Sequence, residues 1–165
     1  GHGGGGRQGV IRDATAADIP ALAALNDAEA THVNALGEDG LRALLAVAWR
    51  ARCTDGALLV ALREDTPTQG PNHAWFQARG GRFAYIDRVV VAPWARGRGL
   101  ARALYADLAA QARAAGLDAL CCEVNLDPLN PASLAFHAAL GFGPLGEATD
   151  PRNGKVVRYL TRSLG

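Results

Sequence analysis

The stretch Val89-Val90-Val91, then Ala92-Pro93-Trp94-Ala95, then Arg96-Gly97-Arg98-Gly99-Leu100-Ala101 constrains this chain more than any other. A β-branched run reads as a strand, the glycines as a tight turn, and the Ala/Leu-rich residues after them as a helix. Such a unit makes an anion cradle. The first helical N–H groups lack intrahelical partners, and the helix dipole is positive there. A phosphate fits that end, and glycine lets the backbone approach it. A P-loop is excluded, because Leu100-Ala101 stand where Lys-Ser/Thr is needed. A dinucleotide fingerprint fits poorly, because Arg102 stands where a small residue is wanted. A helix start that is merely glycine-rich is the plainer alternative.

At 165 residues the chain has room for one domain with a real core. Residues 1–8, beginning with the Gly1 to Gly6 run that includes His2, read as a tag or disordered tail; residues 9–165 read as the domain. Apolar residues make up 49% and charged residues 20%, the balance of a globular protein. A net charge of +1 argues against a nucleic-acid partner, although Arg96, Arg98 and Arg102 form a local basic patch. Lys155 is the only lysine among 17 basic side chains. Cys53, Cys121 and Cys122 are odd in number and lack metal spacing, which predicts reduced thiols, a cytoplasmic setting and no metal site. No apolar run of about 18 residues appears, so no membrane partner is expected.

Hydrophobic spacing and punctuation predict the order β-α-α-β-β-β-α-β-α-β-β. Gly9 to Asp13 reads as a short strand. Thr15 or Asp18 caps a helix to about Glu29, and Leu41, Leu44 and Leu45 mark a second helix. Ala46 to Cys53 reads as a strand that turns through Thr54-Asp55-Gly56 into Ala57 to Leu62. Glu64 to Gly81 reads as a long connector carrying His73, Trp75 and Phe76. Arg82 to Val91 is the central strand, and Gly97 to Ala115 a helix stopped by Gly116. Leu117 to Asn125 is a buried strand, so Cys121 and Cys122 point to opposite faces. Asn130-Pro131 starts a helix ending at Gly141. Phe142 to Ala148 and Val156 to Thr161 close the sheet around the turn Asp150 to Gly154.

Two segments carry a resemblance. The cradle matches R/Q-x-x-G-x-G/A at Arg96, Gly99 and Ala101, and the late helix matches N-x-x-A/S-x-x-x-Y-x-x-x-G-F at Asn130, Ser133, Gly141 and Phe142, with His137 at the tyrosine position. From Val10 to Leu164 the chain resembles the GNAT superfamily of N-acetyltransferases. The resemblance implies an α/β (α+β) fold: a mixed, mostly antiparallel sheet of six to seven strands, about four helices, and splayed central strands. It implies acetyl transfer from acetyl-CoA to an amine of a small molecule or peptide, through a ternary complex in a monomer or homodimer. It places the coenzyme's pyrophosphate on Arg96, Gly97, Arg98, Gly99, Leu100 and Ala101. The pantetheine amides would lie against the backbone of Val89 and Val91, and Asn130 and Ser133 would contribute from the late helix. The segment Asn125 to Leu129 is longer than in many members. A coenzyme-A-binding module without catalysis is the rival reading.

An ammonium must lose a proton before it attacks a thioester. Asp87 on the central strand and Glu123 on the next strand, the latter through water, are the two candidate bases. Alternation puts Asp87 on the face of Tyr85, Val89 and Val91 unless a bulge intervenes. His137 is either the acid for the departing thiolate or a histidine packed against Phe136 and Leu140. On the acceptor side Asn26, Glu29 and His32 form one polar wall, and Trp75 and Phe76 the other.

Overall fold

The structure, a computed structural model, describes residues 9–29, 33–127 and 129–165. The predicted tail and His32 lie outside the described residues. The sheet has seven strands: β1 (Arg12–Asp13), β2 (Arg50–Thr54), β3 (Ala57–Arg63), β4 (Phe83–Val91), β5 (Ala119–Asn125), β6 (Gly143–Thr149) and β7 (Val156–Ser163). Their spatial order is β1-β2-β3-β4-β5-β7-β6, and every pairing is antiparallel except β4 with β5. Five helices cover it: α1 (Ile19–Ala28), α2 (Gly37–Val47), α3 (Pro71–Arg79), α4 (Leu100–Ala114) and α5 (Pro131–Ala139).

α4 crosses from β4 to β5, which makes that pair parallel. Its stripe of Leu104, Tyr105, Leu108 and Ala112 packs on one sheet face with Ala84, Ile86, Leu120, Cys122 and Val124. The other face carries Phe83, Tyr85, Cys121, Val157 and Tyr159, covered by Ile19 and Leu22 of α1, Leu41 and Leu44 of α2, and Phe76 of α3. Cys121 and Cys122 therefore lie in opposite layers, as strand alternation requires.

Element ends differ from the sequence reading by a few residues in several places, and two differences change the architecture. α2 runs on to Val47, so β2 begins only at Arg50. The expected connector before β4 contains α3, a fifth helix where four were expected. Its limits were available locally: Pro71 at the first turn and Gly80 just past the end. Its stability is not local. Phe76 packs against Phe83, Tyr85 and Tyr159, and His73 stacks on Tyr85 at 5.4 Å. His73 also accepts from the Gln69 N–H at Nδ1 (3.1 Å) and donates from Nε2 to the Arg63 carbonyl (2.9 Å).

Two irregularities in β4 set the geometry at the centre of the sheet. Val60 pairs with Arg88 and Ala61 with Ile86, so Asp87 is the extra residue of a β-bulge. The bulge flips the parity of the strand. Ala84 and Ile86 face the α4 layer before it, and Val89 and Val91 face that layer after it. The expected shared face of Asp87, Val89 and Val91 is thereby corrected. Second, β4 and β5 pair only at Phe83–Ala119, Ala84–Leu120 and Tyr85–Cys121. Beyond that point β4 stays zipped to β3 as far as Val91, and β5 to β7 as far as Asn125. Each strand is held on its outer edge, and the two splay apart.

Candidate active site

The splay opens into a cavity of about 470 Å³ lined by Ile86 to Val89 of β4, Cys122 to Asn125 of β5, and Tyr105, Asn130, Ser133 and His137. A second hollow of about 280 Å³ lies at the cradle, lined by Val91, Arg96, Gly97, Gly99, Leu100, Ala101 and Phe136 among others. Val89 in one and Val91 in the other join them along a single strand.

The cradle's backbone is set by two glycines in the left-handed region, Gly97 at φ 78° and Gly99 at φ 73°. An L-residue there is strained by about 1–2 kcal/mol. Gly99 is the N-cap of α4, so the first free N–H groups of a fifteen-residue helix open onto the hollow. Arg96 borders it and is ion-paired with Glu29 at the end of α1. Arg98 lies over the Trp94 ring at 5.8 Å.

The two carboxylates on the cavity wall differ sharply. Asp87 accepts from Arg88 Nε at 2.8 Å, and that guanidinium, 6% exposed, also donates to Asn26 Oδ1 (2.9 Å) and the Asn34 carbonyl (3.1 Å). Asp87 is thus one end of a buried structural network. Glu123 alternates with Cys122 and Val124, so it faces the α1–α3 side of the sheet with Cys121. It accepts from the Tyr85 hydroxyl at 2.6 Å. Burial raises its carboxyl from an ordinary 4.5 to about 7, the Tyr85 bond opposes this, and the nearby Asp87 charge adds to it. A carboxylate tuned near neutrality has the basicity for proton transfer at physiological pH.

His137 sits on the opposite side, among Tyr105, Phe136 and Phe142 at ring distances of 5.3–5.4 Å. Its Nδ1 donates to the Ser133 carbonyl at 2.7 Å, and its Nε2 accepts from the Tyr105 hydroxyl at 2.8 Å. This tautomer follows from the partners, since a carbonyl can only accept. Burial lowers the imidazole below its ordinary 6.5, and the Ser133 bond only partly offsets that. Both nitrogens of the ring are thus engaged within the domain.

Asn130 caps α5, accepting from the Ser133 N–H at 3.1 Å. Of the five expected acceptor-side residues His32 lies outside the described residues, and the other four are not among those lining the cavity. Asn26 is fully buried, its amide donating to Asp27 and the Asn34 carbonyl while its oxygen accepts from Arg88. Glu29 pairs with Arg96. Trp75 stacks on Tyr159 at 4.0 Å beneath Arg79, and Phe76 is core. The sequence reading missed Tyr85, Tyr105 and Lys155. Tyr85 is signalled by its place on the central strand. Tyr105 sits in an apolar helical stripe and reads there as packing alone.

A profile of the acetyltransferase (GNAT) family matches residues 34–142, most of the chain and all of the cradle, splay and late helix. The chain belongs to the GNAT acetyltransferase family. Solved GNAT structures share the fold at low identity. The ribosomal-protein-alanine N-acetyltransferase of Brucella melitensis is 23% identical, with a TM-score of 0.66 over 93% of this chain and 99% of that one. The putative acetyltransferase yncA of Salmonella typhimurium, solved with acetyl-CoA, is 18% identical, with a TM-score of 0.70 over 95% and 94%. A phosphinothricin acetyltransferase of Sinorhizobium meliloti, also with acetyl-CoA, is 20% identical, with a TM-score of 0.67 over 95% and 89%. No curated protein matches the chain. Among the described residues no helix is long and apolar enough to cross a membrane, and no cluster of His, Cys, Asp and Glu could hold a metal ion.

Proposed function

We propose that this GNAT protein moves the acetyl group of acetyl-CoA to an amine of a small molecule or peptide, by direct attack in a ternary complex. One observation carries the reading: the β4–β5 splay separates a carboxylate poised near neutrality from an anion cradle at the end of the same central strand. The residues fit the coenzyme. The α4 N-terminus with Arg96, Gly97, Arg98, Gly99, Leu100 and Ala101 suits a pyrophosphate. The edge of β4 beyond Tyr85, left by β5, offers backbone groups at Val89 and Val91 to an extended amide chain. Asn130 and Ser133 border the same passage.

Acetyl-CoA supplies the activated thioester. Glu123 takes the proton from the acceptor's ammonium, directly or through water, so that the neutral amine can attack. Tyr85 fixes the Glu123 carboxylate by its hydrogen bond. Asp87 holds Arg88, and Arg88 holds α1 and Asn34, so this pair positions the acceptor wall. On the coenzyme side the phenol of Tyr105 lines the same cavity with its one proton committed to His137 Nε2, and it can offer the departing sulfur a hydrogen bond only by releasing that partner.

The test is an acetyl-CoA turnover screen against an amine library, read as release of free thiol. Thiol release that depends on particular amines supports the assignment. Coenzyme A binding with no release across the library would establish the non-catalytic binding module instead.

A further inference from the structure

The charges around the main cavity do not cancel. Asp87 and Arg88 neutralise one another at 2.8 Å. Glu123, near 7, is about half ionised at neutral pH. Lys155 lines the same cavity, and none of the ion pairs among the described residues involves it. The neighbouring cation is already engaged: Arg152 grips Asp150 through Nη2 (2.8 Å) and Nε (3.1 Å).

The base of Lys155 is built rather than loose. The Asp150 N–H donates to the Lys155 carbonyl at 2.7 Å, the Lys155 N–H donates to Asn153 Oδ1 at 2.9 Å, and the Gly154 N–H donates to the Asp150 carbonyl at 2.8 Å. Asp150 is itself buried, so the turn between β6 and β7 is pinned to the body of the domain. Lys155 leads into β7, whose Val157 and Tyr159 face the layer that holds Tyr85 and Cys121. That is the side from which Glu123 is reached. An ammonium is a compact point charge suited to one carboxylate oxygen, unlike the guanidinium fork used elsewhere in this chain.

We propose that the acceptor carries an anionic group beside its amine, as an amino acid does, and that Lys155 holds the anion while the amine faces Glu123. The proposal rests on the acetyl-transfer reading above. A purely cationic amine entering this cavity meets the exposed Lys155 ammonium with only a half-ionised Glu123 to offset it, whereas a zwitterion turns that repulsion into attraction.

The test uses matched pairs, the common L-amino acids and their carboxamides, titrated into the 165-residue chain saturated with coenzyme A. At least one acid is expected to bind about tenfold tighter than its carboxamide, the scale of one charge-assisted hydrogen bond. Lys155→Ala removes that difference, and Lys155→Glu reverses it in favour of carboxamides and diamines. Equal binding within every pair, no acid bound, or a ratio unchanged in Lys155→Ala overturns the proposal. Turnover by the same pairs separates the two readings. Acids bound selectively but never acetylated sink the transfer and leave the anion site. Diamines acetylated as readily as acids keep the transfer and sink the anion site.

Discussion

Glu123→Gln removes an ionisation and keeps the shape, since the amide oxygen still accepts from Tyr85. The carboxyl lies at about 7 in the folded protein against an ordinary 4.5, mainly because burial penalises the charged form. The sign follows from proton counting. Above 4.5 the unfolded chain has released this proton while the folded chain still holds it, so folding stability falls with rising pH until the folded group also ionises near 7. The difference of the two values amounts to about 3 kcal/mol, all of it lost by about pH 8. The assay is urea unfolding of the parent and Glu123→Gln side by side from pH 4 to pH 9. Other carboxylates, such as Asp27 and Asp150, which hydrogen bonds hold below their ordinary range, cancel in the difference. The variant should gain about 3 kcal/mol on the parent between pH 4.5 and 8 and nothing further above. Its kcat/KM should fall at least a hundredfold, the scale of general-base catalysis, and lose the inflection near 7. A stability difference that is flat with pH would refute the burial argument. Undiminished turnover with the inflection intact would refute the base.

Asp87→Asn leaves the buried Arg88 guanidinium without its charge partner and should cost about 3 kcal/mol in urea unfolding, while the pH inflection persists and moves below 7, because the Asp87 charge helps to raise Glu123; loss of that inflection would hand the base role back to Asp87. Gly99→Ala forces a side chain to φ 73° and should cost about 1 kcal/mol and weaken coenzyme A binding about tenfold by calorimetry. Gly80→Ala at φ 81° and ψ −174° is the control, more strained than Gly99→Ala and remote from the cradle, and should cost stability while leaving binding alone. Glu29→Gln frees Arg96 from its carboxylate and should tighten coenzyme A about threefold at low salt, the worth of an exposed ion pair; unchanged or weaker binding would mean that Arg96 does not serve the cradle.

Much of the fold was legible because its signals are local. The strand, glycine turn and helix from Val89 to Ala114 follow from β-branching, positive φ at Gly97 and Gly99, and a leucine stripe. Asn130-Pro131 announces α5 by its capping chemistry. Alternation along the strand already put Cys121 and Cys122 on opposite faces, as the two core layers show. Those same residues sufficed to resemble the family to which the chain belongs.

Tertiary structure decided the rest, because it depends on what packs against what. The bulge at Asp87 exists only in register with β3, and it moved Val89 and Val91 to the α4 side. α3 is nine residues long and stands on Tyr85 and Tyr159, contacts that no window of its own sequence contains. The sequence offered Asp87 first as the base, with Glu123 as its competitor. Arg88 claimed the first, and desolvation beside Tyr85 prepared the second. The sequence alone determined where an anion can sit, since a cradle is made by its own backbone. Only the folded sheet decided which of the two carboxylates on the cavity wall is ion-paired and which is desolvated, since burial and pairing are properties of neighbours far along the chain.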